Sequence, residues 1–265
     1  MSLAQTFART RADGRAALVG YLPGGFPTVE DSITAINTMI DSGCDAIEIG
    51  LPYSDPVMDG PAIQRAAETA LAAGVRTADV LRIVEAVAGR VPILIMTYWN
   101  PIEKYGVEAF SRDFAAAGGA GLITPDLIPE EADDWLTASA EHDLDRVFLV
   151  APSSTAERIA ATVAVCSGFV YAQSVMGVTG ARDHTSAVAP ALVERTRKVT
   201  DLPIGVGVGV RNGEQAAEVA GYADAVIVGS AMVSCLHNGE DLAAGLRALS
   251  RLTTDLADGA SKPRR

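Results

Sequence analysis

The stretch DAIEIGLPYSDPVMDGP, residues 45–61, decides the reading of the fold. Residues 45–50 form a short run, apolar but for its leading Asp45 and Glu48, and a loop rich in proline and acid follows. Runs without strict apolar–polar alternation are what strands covered on both faces look like in a parallel sheet. Comparable runs recur at residues 17–22, 91–98, 121–124, 146–151, 168–174, 203–210 and 225–229. Between them, residues 30–42, 61–73, 107–117 and 129–141 carry apolar residues at helical spacing. Pro61 and Pro129 suit first-turn positions, and Gly43, Gly74 and Gly118 fall where those helices should stop. Eight strand-like runs alternating with helices predict an α/β fold, a single-domain (β/α)8 TIM barrel over residues 1–265. A helical segment is expected at about 1–13 and a frayed tail at about 259–265. The rival is an open doubly wound sheet. The first strand is indeed followed by Gly24 and Gly25, but Pro23 and Pro27 flank them and no GxGxxG pattern follows.

Composition narrows the function. The chain is 49% hydrophobic and 20% charged, as globular proteins are. A net charge of −12 argues against general nucleic-acid binding, so an anionic ligand must be gripped locally. Cys44, Cys166 and Cys235 lie far apart with no CxxC spacing and read as core fillers. The start of the chain lacks an apolar signal core and no run is long enough to span a membrane, so a cytoplasmic enzyme is expected.

In a barrel, chemistry gathers at the carboxyl ends of the strands. Period-two alternation puts Ile47 and Ile49 on one face of the second strand and Glu48 on the other. If the isoleucines pack against helices, Glu48 points inward. A carboxylate among apolar residues with no nearby cation has a raised pKa, which suits it to give and take protons near neutrality. In the loop that follows, Asp55 has the setting of a turn former. Asp59 has that of a second acid or base, or of a cap for the next helix.

The last strands, IGVGVGV and IVGSA, expose backbone N–H groups through Gly205, Gly207, Gly209 and Gly229, and Ser230 adds a hydroxyl. Barrels often bind a phosphate there. The cluster 177–182 can supply more amides and act as a lid. The chain has only Lys104, Lys198 and Lys262, none in a proposed strand, which disfavours a Schiff-base aldolase. His142, His184 and His237 are scattered, which disfavours a zinc aldolase, so no metal is expected.

DAIEIGLPYSDPVMDGP, MTYWNPI at 96–102, GLITPDLIPEEA at 121–132, YAQSVMGVTGAR at 171–182, GVGVGVR and VIVGSA, in this order, resemble the tryptophan synthase α subunit along nearly the whole chain. The resemblance implies a lyase of tryptophan biosynthesis that cleaves indole-3-glycerol phosphate to indole and glyceraldehyde 3-phosphate. By it Glu48 is the proton shuttle, Asp59 accepts a hydrogen bond from the indole N–H, and Tyr171 sits beside the glutamate. Gly180, Gly209, Gly229 and Ser230 would help bind phosphate, Tyr21 and Met96 would line the indole pocket, and Thr179 would belong to the closing loop. Asn100 and Asp126 match family positions near the partner interface or strand ends, with no catalytic step assigned. The family works with a β subunit, expected in an α2β2 heterotetramer, that binds pyridoxal phosphate and receives the indole. No cofactor is expected in this chain. Two other readings stay open on sequence: an isomerase or epimerase of a phosphorylated sugar that uses Glu48 as a simple base, and a non-catalytic subunit that only binds a phosphate ligand.

Overall fold

Side-chain alternation in each strand sorts the apolar residues into two sets, and that sorting builds the barrel. In the computed structural model, which describes residues 1–173, 188–207 and 209–262, the strands are β1 (Ala17–Pro23), β2 (Ala46–Gly50), β3 (Ile93–Met96), β4 (Gly121–Ile123), β5 (Asp145–Val147), β6 (Leu149–Val150), β7 (Val170–Gln173), β8 (Ile204–Gly207) and β9 (Ala225–Val228). All pairings among them are parallel. Their order is β5-β4-β3-β2-β1-β9-β8-β7-β6. The two ends of that order, β5 and β6, are consecutive pieces of one stave joined through Phe148, so the sheet closes on itself and the open doubly wound alternative is excluded. The run expected at 146–151 is thus one stave in two strands.

Val19, Ala46, Leu94, Ile123, Val147, Phe169, Ala225 and Ile227 point inward and form one buried cluster. Their outward neighbours, among them Leu18, Ile47, Ile49, Ile95, Val170, Val206 and Val226, pack in a larger cluster with the surrounding helices. At about 25 cal/mol per Å2 of apolar surface, this double burial is the main driving force for the fold.

Those helices are α2 (Val29–Asp41), α3 (Pro61–Ala72), α4 (Thr77–Val87), α5 (Trp99–Tyr105), α6 (Val107–Ala116), α7 (Asp133–Glu141), α8 (Ala156–Val165), α9 (Val188–Arg197), α10 (Gly213–Ala220), α11 (Ser230–His237) and α12 (Leu242–Ala260). Pro61 opens α3, and Gly43, Gly74 and Gly118 follow their helices at φ of 115°, 84° and 86°, a region open to glycine. The helix expected at 129–141 is broken: Pro129–Glu131 is a 3-10 turn, and α7 starts at Asp133.

Before the barrel, α1 (Leu3–Ala12) is held at its start by a capping box between Ser2 and Gln5. Leu3 and Phe7, one turn apart, enter the inner cluster and plug the amino-terminal mouth, with the Phe7 and Phe169 rings 5.7 Å apart. The expectation of fraying from 259 is corrected at its start. Gly259 and Ala260 are buried in the last turn of α12, Ala16 donates its N–H to the Ala260 carbonyl at 3.1 Å, and a Cβ at 259 would collide with the Gly213 backbone.

Candidate active site

Plugged at one mouth, the barrel opens inward at the other. There one cavity is lined by Tyr21, Glu48, Asp59, Met96, Tyr171, Gly209, Gly229 and Ser230. The sequence had pointed to each of these. Thr179 and Gly180, with the rest of the 177–182 cluster and His184, lie outside the described residues.

Glu48 is the third of the five residues of β2. Ile47 and Ile49 face the helices, so the pleat turns Glu48 inward, where it is 1% exposed. Its Oε1 has no hydrogen-bond partner among the described residues. Among the described residues, no lysine or arginine lines the cavity. Loss of hydration without a compensating charge pushes its pKa up to about 8. Tyr21 and Tyr171 share the cavity, and burial, with the nearby carboxylates, holds both phenols well above their ordinary pKa and therefore neutral. Each leans over a glycine: a Cβ at Gly50 would strike the Tyr21 hydroxyl, and one at Gly207 the Tyr171 hydroxyl. These two glycines are seats for the aromatic rings.

Asp59 enters from the loop between β2 and α3. Burial raises its carboxyl pKa, and a hydrogen bond from the Tyr98 hydroxyl at 3.3 Å works against that rise. The helix-cap alternative for Asp59 is not what forms. Gly60 is the N-cap of α3 with no side-chain cap bond, and the Asp59 carbonyl instead accepts from Gln64 Nε2 at 2.9 Å. Asp55 is exposed and accepts from the Ser54 hydroxyl at 2.6 Å, in keeping with a turn role.

On the far side, Gly209 has φ of 73°, and Gly229 is the N-cap of α11 without a side-chain cap bond. The first amides of α11 and the Ser230 hydroxyl border the cavity with the positive end of a helix dipole, a setting for a phosphate. The arrangement therefore sets a carboxyl able to exchange protons near neutrality, a second carboxylate and a helix amino terminus around one apolar hollow.

Sequence reasoning missed Met58, Ile63, Gln173 and Ile227, which also line the cavity, and Tyr98 behind Asp59. Gln173 and Ile227 could have been found by extending the alternation from Tyr171 and Ala225. Asn100 donates to the Tyr53 hydroxyl at 3.1 Å, and Asp126 accepts from the Trp99 N–H at 3.0 Å; neither lines this cavity. Among the described residues, the side chains grouped as a metal site would need are Glu108, Glu141 and His142, outside the barrel and away from the cavity lining.

A sequence profile of the family described as Tryptophan synthase alpha chain matches residues 7–261. The chain belongs to the tryptophan synthase alpha chain family. It is 62% identical over 258 residues to the tryptophan synthase alpha chain of Salinispora arenicola, with 97% of each chain covered. The alpha chain of Nocardia farcinica is 61% identical, covering 97% of this chain and 95% of the relative. Among solved structures, one of Mycobacterium tuberculosis tryptophan synthase superposes with a TM-score of 0.92 at 58% identity, with 97% of both chains covered. The alpha chain from Legionella pneumophila reaches 0.88 at 30% identity, covering 98% of this chain and 97% of that one. Tryptophan synthase alpha chains are lyases of amino-acid biosynthesis that cleave indole-3-glycerol phosphate, and membership settles this chain's class against the sugar-phosphate isomerase reading.

Proposed function

We propose that Glu48 moves the protons and Asp59 steadies the indole nitrogen in the cleavage of indole-3-glycerol phosphate to indole and glyceraldehyde 3-phosphate. The observation that carries this reading is Glu48 itself: a buried carboxyl with an unpartnered oxygen, in a cavity shared with Asp59 and a helix amino terminus.

Breaking the carbon–carbon bond requires somewhere for its electron pair to go. Protonation of indole C3 turns the ring into a cation whose charge rests largely on nitrogen. Loss of the proton from the adjacent glycerol hydroxyl then drives the bond pair into the ring, which regains aromaticity as the aldehyde forms. One proton is given at carbon and one is taken from oxygen. A group with a pKa of about 8 can do both near neutrality, because neither of its forms is scarce. Asp59, ionised, accepts the indole N–H and offsets the developing charge where water is excluded. Tyr171 packs beside Glu48, Tyr21 and Met96 flank the ring, and Gly209, Gly229 and Ser230 hold the phosphate. Gly180 adds to that seat and Thr179 to a closing segment, on the family resemblance alone.

The reaction so drawn needs no cofactor in this chain, and no lysine among the described residues lines the cavity to hold one by a Schiff base. Pyridoxal phosphate belongs on this reading to a β subunit in an α2β2 assembly. Val57 is 74% exposed and Ile128 42%, two apolar side chains on the loops after β2 and β4, at the mouth that carries the site, which supports a partner there. No helix among the described residues is long and apolar enough to cross a membrane, and we place the enzyme in the cytoplasm with its phosphorylated substrate.

Indole release from indole-3-glycerol phosphate, measured with and without a β subunit, tests the reading. Turnover by this chain that rises when the β subunit is added is the expected result. Ligand binding without indole in both cases would instead favour a subunit that only binds.

A further inference from the structure

We infer that Tyr98 is a positioning residue for the lyase reaction, a fixed post that aims the Asp59 carboxylate at the indole nitrogen. This rests on the reading above that Asp59 meets that nitrogen.

The backbone on either side of Tyr98 is pinned. Thr97 donates its N–H to the Ile123 carbonyl of β4 at 3.1 Å, and Trp99 donates to both carboxylate oxygens of Asp126 at 3.0 and 3.1 Å. The ring is 6% exposed and lies 5.4 Å from that of Tyr53. The loop of residues 51–60, by contrast, has no helix or strand of its own. It rests on the Tyr98 hydroxyl, which accepts the N–H groups of Val57 at 3.1 Å and Met58 at 2.9 Å and donates to Asp59 Oδ1 at 3.3 Å.

One oxygen therefore ties three consecutive loop residues to the rigid end of β3. Two donors on a phenol oxygen polarise its O–H and make it a better donor to the carboxylate. Asp59 and Tyr98 also border a small second cavity with Tyr21, Leu51, Met96 and Pro125, so close packing does not hold the carboxylate on that side.

Among the described residues, the titratable groups that line these cavities with Asp59 are Tyr21 from β1, Glu48 from β2, Tyr98 after β3 and Tyr171 from β7, and no lysine or arginine does. Among the described residues, the Tyr98 bond is the interaction that lowers the Asp59 pKa against burial. Removing it raises that pKa, and the ionised fraction is lost at a higher pH.

The experiment is indole release from indole-3-glycerol phosphate as a function of pH by the wild type, Tyr98→Phe, Asp59→Asn and the double variant. Tyr98→Phe is expected to lower kcat about tenfold with KM changed by less than about threefold. The acid limb of its kcat/KM profile moves to higher pH. In the Asp59→Asn background the same change should alter the residual turnover by less than about twofold. Equal losses in both backgrounds, or a wild-type kcat and acid limb in Tyr98→Phe, overturn the inference. Asp59→Asn at wild-type turnover removes Asp59 from the reaction, and the inference falls with it. Should Tyr98→Phe not fold, 3-fluorotyrosine at position 98 keeps the shape and makes the hydroxyl a stronger donor. The acid limb then moves to lower pH, and an unmoved limb overturns the inference.

Discussion

Asp45 and Glu48 stand three positions apart on one stave, both buried carboxylates, at 5% and 1% exposure, and they face opposite fates. Asp45, at the plugged mouth, receives Arg15 through two nitrogens at 2.7 and 2.8 Å, Arg9 at 2.9 Å and the Leu18 N–H at 3.0 Å. Asp224 at the same mouth takes Arg197 at 2.8 Å and the Ile204 N–H at 2.9 Å. Glu48, nearer the open mouth, has among the described residues no cation in its cavity and no partner for one of its oxygens. Burial of a charge is costly unless it is paired and hydrogen-bonded. Where the charge is met, the carboxylate ties strands to helices, Asp45 to the plug helix and Asp224 to α9. Where it is not, the carboxyl holds its proton into the neutral range, which is a liability for stability and a resource for chemistry.

The contrast can be broken most sharply at Glu48. Glu48→Gln keeps the shape and removes the titration, so kcat should fall by about 1,000-fold or more while the variant still folds and binds ligand. Wild-type cleavage by that variant would end its role as the proton shuttle.

The converse change at Asp45 strips the partner from two arginines. Asp45→Ala should cost about 3–5 kcal/mol, read in denaturant unfolding, and lower Tm by on the order of 10 °C. The fraction that folds should turn over at the wild-type kcat, since Asp45 lies at the far mouth. A loss of kcat with unchanged stability would reverse the assignment of the two ends.

Glu48 also predicts how stability depends on pH. Its folded pKa of about 8 lies above the ordinary glutamate value of 4.5, so the folded state holds a proton that the unfolded state releases. The contribution is fully present below about 4.5, declines as pH rises through the window to about 8, and levels off above it. Glu48→Gln lacks this penalty. Its Tm should match the wild type at acid pH and exceed it by about 2–4 °C or more at pH 8, as thermal melts across the range will read. Parallel Tm curves for the two proteins would contradict the unmet charge.

The smallest effect belongs to the phosphate seat. Ser230→Ala removes one donor among several amides, so KM should rise a few-fold with kcat held within about twofold. A collapse of kcat would mean that Ser230 takes part in the chemistry.

How much of this was legible in the sequence follows from the same physics. The staves were visible because burial on both faces writes continuous apolar runs, and Glu48 was visible because a charge interrupts one of them. Gly43, Gly74 and Gly118 marked helix ends because positive φ favours glycine. The break of one stave at Phe148 left no mark, since an outward phenylalanine reads like any other buried strand residue. The Pro129–Glu131 turn was likewise hidden inside a helical pattern. Tyr98 was passed over because its role lies in a hydroxyl that meets residues about forty positions away, a pairing that no local spacing encodes. The plug was readable only as a helix. That Leu3 and Phe7 close the barrel depends on where the first strand carries the chain.

The most direct test of the claim that Glu48 is an unmet, proton-carrying carboxyl is its own titration. With 13C-labelled glutamate and Glu48→Gln to assign the signal, the side-chain carboxyl resonance should titrate with a midpoint of about 8 in the ligand-free chain. A midpoint at the ordinary glutamate value, near 4.5, would mean that the charge is met after all and would contradict the account.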